Sequence, residues 1–335
     1  MCNDSYWNST TVCPNAGPGV SAIMFVAGVL GNVLALVVLT LHKRESRSRV
    51  SLFHILVSSL IVTDLMGTLL ISPVVLAAYA SGFSLTHLRL CGYCAFAMAF
   101  FGLSSMLILF AMALERYLSI SCPYFYSRHA NRRTGLVTIP LIYGFCIVFC
   151  SLPLFHTGPY AQYYPGTWCF IMMHTKCQPA KVRLYSLSYA ILMKVLIISI
   201  LLCNVSVIID LCRMYQRQRS RRCSRQSSAR RDHSAQAEEV DHLILLAIMT
   251  ITFVICSVPL TVRTYIGAIS EQGNNEADLT ALRCLSFNPI IDPWVFIIFN
   301  TSIVKKTLSK ILCCKFTSKG HKAQTTVFIR NETFE

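Results

Sequence analysis

Of 335 residues, 54% are hydrophobic and 13% charged, with a mean hydropathy of +0.54; a soluble domain carries about twice that charge. The net charge of +15 would suggest nucleic acid if Lys and Arg shared one folded face, but they lie in short runs between apolar stretches. Among the 16 cysteines, Cys146, Cys150, Cys203 and Cys256 sit inside those stretches, which argues against a small secreted disulfide framework.

Residues 1–18 form a tail with no cleavable signal pattern, so the first span is expected to serve as the targeting signal. The tail carries two glycosylation sequons, at Asn3 and Asn8. Seven apolar stretches follow, over about 19–42, 52–79, 92–122, 134–155, 183–215, 240–268 and 278–300, each near the roughly 20 residues needed to cross a hydrocarbon core about 30 Å thick. The segments after the first, third, fifth and seventh stretches hold about 23 of the 30 basic residues, and Lys/Arg-rich loops stay in the cytoplasm. The expected fold is therefore an all-α, seven-helix membrane bundle over residues 19–300, with its N-terminus outside and its C-terminus inside.

The third cytoplasmic loop, about 216–238, is Arg- and Ser-rich and is expected to be flexible with helical ends. Beyond the seventh span, Lys305, Lys306 and Lys310 alternate with Ile303, Leu308, Ile311 and Leu312, which predicts a short amphipathic helix on the membrane surface over 301–316. Cys313 and Cys314 stand where palmitate would anchor it, ahead of a tail over 317–335. No internal repeat suggests two transporter halves.

A charge within the bilayer costs at least about 2.5–3.5 kcal/mol, so each one left there calls for a role. Asp64 in the second span and Asp292, in Asn288-Pro289-x-x-Asp292-Pro293 of the seventh, would form with Asn32 a polar cluster that holds water or a sodium ion, or that only ties helices together. Glu115-Arg116-Tyr117 closes the third span, where the acid can hold the neighbouring guanidinium until activation frees it. Pro259 removes a backbone hydrogen bond from the sixth span and marks a kink or hinge. Arg283, about 13 Å outward of Asp292 at about 1.5 Å per residue, offers a guanidinium able to grip a carboxylate with two parallel hydrogen bonds.

Gly31-Asn32, Leu60-x-x-x-Asp64, Glu115-Arg116-Tyr117 and Asn288-Pro289-x-x-Asp292-Pro293 resemble the rhodopsin-like G-protein-coupled receptors over the whole membrane region. Ser257 in place of the usual sixth-span tryptophan, Phe296 in place of the usual seventh-span tyrosine, the run Gln162-Tyr163-Tyr164-Pro165-Gly166-Thr167-Trp168-Cys169-Phe170 and Leu282-Arg283 narrow the resemblance to the prostanoid receptor group. The resemblance implies a plasma-membrane receptor, not an enzyme, for a lipid carboxylate. Prostacyclin is expected first and prostaglandin E (or D) second. It further implies coupling to the stimulatory G protein, with receptor kinases and arrestin as later partners.

By the same resemblance Cys91 pairs with Cys169, while a second bridge among Cys2, Cys13, Cys94 and Cys177 stays open. Tyr79 and Thr167 would join Arg283 at the ligand carboxylate, and Trp168, Met24, Ser286 and Phe287 would supply further contacts. A multi-span transporter and an intramembrane aspartyl protease using Asp64 and Asp292 are the rivals from other classes.

Overall fold

The computed structural model describes residues 9–14, 16–45, 52–129, 131–155, 160–175, 178–222, 230–269 and 274–299. In chain order these form α1 (Gly19–Glu45), α2 (Leu52–Ser81), α3 (Cys91–Ser121), short α4 (Pro123–His129), α5 (Arg132–Ser151), a hairpin of β1 (Tyr160–Tyr163) and β2 (Trp168–Ile171), α6 (Ala180–Arg222), α7 (Arg230–Ile269) and α8 (Asn275–Phe299). Stretches in α1, α2, α3, α5, α6 and α7 are long and apolar enough to cross a membrane. Helix α8 is the seventh leg; it carries Glu276, Asp278, Arg283 and Asp292 among its apolar residues. The bundle hides two of these acids, Asp278 and Asp292, which are each 1% exposed.

Helix α3 runs through the middle, with Leu103, Met106, Ile108 and Met112 wholly buried. The outer faces are apolar too: Ile23 on α1, Leu141 and Val148 on α5 and Leu184 on α6 are all well exposed, as expected where lipid replaces water. Lipid tails are as apolar as leucine, so close packing and interhelical hydrogen bonds must specify how the helices meet. Thr63 and Tyr143 hydroxyls lie 2.8 Å apart between α2 and α5, and Asn204 Nδ2 donates to Thr250 Oγ1 at 2.6 Å between α6 and α7. Pro293 has no N–H to give the carbonyl four residues back. That carbonyl, on Pro289, is taken instead by Asn32 Nδ2 at 2.9 Å, joining α1 to α8.

The hairpin was not legible as strands. Its burial is nearly unbroken along both arms, so the in–out alternation that betrays a half-exposed strand is missing. Cys91 at the head of α3 and Cys169 on β2 form a disulfide that holds the hairpin across one end of the bundle. The turn passes through Gly166 at φ +104°, where a Cβ would sit 3.3 Å from both Ser84 Cβ and Thr11 O. The N-terminal strap lies over it: Cys13 N donates to Pro165 O, and Gln162 Nε2 to Ser9 O.

Helix α7 opens at Arg230, ten residues before the start expected near 240; the run Ala235-Gln236-Ala237-Glu238-Glu239 favours helix and carries it into the expected loop. Helix α6 likewise continues to Arg222. Asn3, Asn8, Cys313, Cys314, the amphipathic segment 301–316 and the tail 317–335 lie outside the described residues.

Candidate functional site

A cavity enclosing ≈ 830 Å³, its open mouth included, runs between α1, α2, α3, α7 and α8. Trp168 of β2 lies at its hairpin end; Asp64, Ser105 and Asn288 mark its deep polar end. The walls between are mainly apolar, with Met24, Val75, Met98, Phe253 and Leu285. A mainly apolar cleft with a few polar groups at its ends suits an amphiphilic, lipid-like ligand.

Three expected ligand residues, Met24, Trp168 and Ser286, line this space. Arg283 and Tyr79 are not among the lining residues, but each lies about one turn from one that is. On α8, Arg283 shares a face with Ser286 and Ile290 at i+3 and i+7; on α2, Tyr79 continues the stripe of Ser72 and Val75. The buried Arg283 Nε has no hydrogen-bond partner among the described residues, and the same holds for Thr167 Oγ1 and Trp168 Nε1. Buried polar groups are nearly always paired, so these three orphans, of which Trp168 lines the cavity, call for a partner such as ligand or water. Phe287 departs from expectation. It is 37% exposed and is not among the residues that line the cavity.

At the deep end Ser105 Oγ donates to Asp64 Oδ1 at 2.7 Å, and Asn288 Nδ2 meets Ser257 Oγ at 3.3 Å. Asp64 Oδ2, both Asp292 oxygens and the side-chain oxygens of Asn32 and Asn288 are buried with no donor among the described residues. Such a set of oxygens is the chemistry a hard monovalent cation or ordered water takes.

The opposite end of α3 carries a lock. Arg116 Nε lies 2.9 Å from Glu115 Oε2, and its guanidinium carbon sits 4.1 Å from the centre of the Phe53 ring. The hydroxyl of Tyr126, on α4, donates to Glu115 Oε1 at 2.5 Å. Burial, followed by the Glu115 carboxylate, pushes the Tyr126 phenol well above its ordinary range, so it stays a donor. Tyr117 is half-buried beside this pair. Sequence reasoning found Glu115 and Arg116 but missed Phe53 and Tyr126, whose spacing gives no hint of the meeting. Tyr126→Phe deletes one charge-assisted hydrogen bond worth about 1 kcal/mol, a factor of about five in a two-state balance. Basal second-messenger output should rise severalfold; output unchanged from wild type would show that the phenol does not hold the lock.

A second network was also missed. Asp278, in the first turn of α8, accepts from Arg263 Nε of α7 at 2.7 Å and lies 2.6 Å from His174 Nε2, just past β2.

The model of the 7 transmembrane receptor (rhodopsin family) matches residues 31–296. The chain belongs to the rhodopsin-family receptors. Within them it falls in the prostanoid receptor group: it is 46% identical to the mouse prostaglandin E2 receptor EP2 subtype, covering 97% of this chain and 91% of that protein. It is 48% identical to the rat prostacyclin receptor, covering 92% of this chain and 73% of that one. The solved structure of squid rhodopsin overlays on the receptor with a TM-score of 0.72 at 15% identity, covering 93% of this chain and 94% of that one, which supports the bundle itself. The receptor is thus a multi-pass membrane protein and not an enzyme. Asp64 and Asp292 belong to a receptor core rather than a protease dyad, and the transporter alternative falls with it.

Proposed function

We propose that the receptor binds a prostanoid with its carboxylate on Arg283 and its chains down the apolar cavity, and that binding releases Arg116 for a stimulatory G protein. The carrying observation is the unpaired, buried Arg283 Nε on the face that continues the cavity wall. Tyr79 and Thr167 add hydrogen bonds to the same carboxylate, and Trp168 closes the ceiling. Met24 and Ser286 contact the chains. The N-terminal strap and the hairpin face outside; the Glu115–Arg116 end faces the cytoplasm, where the G protein, and afterwards receptor kinases and arrestin, engage.

Prostaglandin E2 is the first ligand to test, ahead of prostacyclin. The chain spans 88–91% of the EP2-subtype receptors it matches, at 46–49% identity, against 73–81% of the prostacyclin receptors, at 45–48%. The order is the reverse of that drawn from the short motifs. Ligand drives signalling only by its differential affinity for the released state. Pro259 of α7, with Ser257 bonded to Asn288 two residues away, is the pivot. Asp64, Asp292 and Asn32 hold a sodium ion or waters in the resting arrangement.

The test is cyclic AMP in cells expressing the receptor and exposed to prostaglandin E2, prostaglandin D2 and a stable prostacyclin analogue. A rise led by prostaglandin E2 is expected. Silence toward all three, with the receptor at the cell surface, would overturn the assignment.

A further inference from the structure

We infer that Arg263, Asp278 and His174 form a clamp that fixes the ceiling of the cavity to the helix that pivots, and that this clamp sets how fast ligand leaves. The second half rests on the cavity being the prostanoid site; the first stands without it.

The segment Met172–Thr175 follows β2 and is stitched to three helices. Ser186 Oγ of α6 donates to Met172 O at 2.8 Å, and Thr175 N donates to Gly267 O of α7 at 3.0 Å. Gly267 leaves no room for a side chain, since a Cβ there would sit 2.5 Å from Met173 O. The third tie is ionic: His174 Nε2 reaches Asp278 Oδ2 at 2.6 Å, and Arg263 Nε reaches Asp278 Oδ1 at 2.7 Å. Tyr163 on β1 carries the tie back into the hairpin, accepting from Met173 N at 2.8 Å and donating to Ile171 O at 2.9 Å. Ile171 is three residues from Trp168, which lines the cavity.

Position in the helix gives the clamp its consequence. Arg263 is four residues, one turn, beyond Pro259, and Thr261 and Thr264 hydroxyls stay within α7, donating to Ser257 O and Leu260 O. The turn beyond the pivot is therefore held to the lid, while the longer arm on the other side of Pro259 is tied instead to α6 through Asn204 and Thr250. Asp278 is 1% exposed with both oxygens engaged. Two partners on two elements, meeting on one buried carboxylate, make the contact all-or-none: loss of either leaves a buried charge half-compensated. Ligand can leave past the ceiling only after Met172–Thr175 lifts from α7.

Arg263→Gln alone strands Asp278 and risks misfolding, so the decisive variant is Arg263→Gln with Asp278→Asn, which removes both charges and keeps a hydrogen-bonding pair. His174→Ala is the independent second variant. Hydrogen exchange of the Met172–Thr175 amides in the ligand-free receptor reads the clamp; dissociation of radiolabelled prostaglandin E2 reads its consequence. Both variants are expected to exchange these amides faster and to release ligand about tenfold faster, with a much smaller change in association rate. Exchange as slow as in the wild type would overturn the clamp. Faster exchange with an unaltered off-rate would overturn the link to ligand, and if Arg283→Ala also left affinity intact, the cavity assignment itself would be at fault.

Discussion

Arg283→Ala is expected to lower the affinity for prostaglandin E2 by about 30-fold or more, while leaving the receptor folded and at the cell surface. A charge-assisted, two-pronged contact in a water-poor site is worth about 2–5 kcal/mol, and about 1.4 kcal/mol is a factor of ten. Stability should survive because the side chain has little to lose. Its Nε has no partner among the described residues, so removing the side chain relieves an unsatisfied buried donor. Arg283→Lys keeps the charge but not the fork and should fall between. The methyl ester of the ligand closes the cycle: it should bind the wild type about as weakly as the acid binds Arg283→Ala, and lose little more on that variant. Undiminished affinity in Arg283→Ala, measured by competition binding, would place the carboxylate elsewhere.

Loss of the Cys91–Cys169 disulfide is the other large expected effect. The bond closes a separation of 78 residues, and bridges over loops of that order contribute about 2–4 kcal/mol. The lower part of that range fits here, since helices that stay inserted in the bilayer after the bundle loosens confine the reduced chain anyway. Function should suffer more than folding. Trp168, adjacent to Cys169, forms the ceiling of the cavity, and Cys94 N–Leu90 O hydrogen bonding keeps the α3 end in place whether or not the hairpin is tethered. Cys91→Ser should therefore reach the membrane in reduced amount, melt several degrees lower, and lose high-affinity binding in the fraction that folds. Binding indistinguishable from wild type would mean that the hydrogen bonds from Ser84, Leu85 and the N-terminal strap suffice to hold the hairpin.

Composition and hydropathy made the bundle legible because a change of solvent acts on every residue of a span. A window of about 20 residues averages that effect into a signal no soluble fold would produce. Short polar motifs were legible for a related reason. A carboxylate or guanidinium costs enough in lipid that Asp64, Arg116, Arg283 and Asp292 stand out singly. The seventh leg was the hardest to see by apolarity alone, and it carries two of these four groups, Arg283 and Asp292.

Which way each helix faces was not written in the chain. Lipid is as apolar as the interior, so the inner and outer faces of a span differ little in residue type, and periodicity does not tell the lining from the periphery. Phe287, expected as a ligand contact, is 37% exposed and does not line the cavity. The sequence by itself determined the number of spans and the places where charge enters the membrane. Only the tertiary structure decided that Tyr126 and Phe53 flank the Glu115–Arg116 pair and that His174 meets Asp278 across 104 residues. Such meetings depend on the rotation and depth of whole helices, which packing fixes jointly and no local stretch encodes.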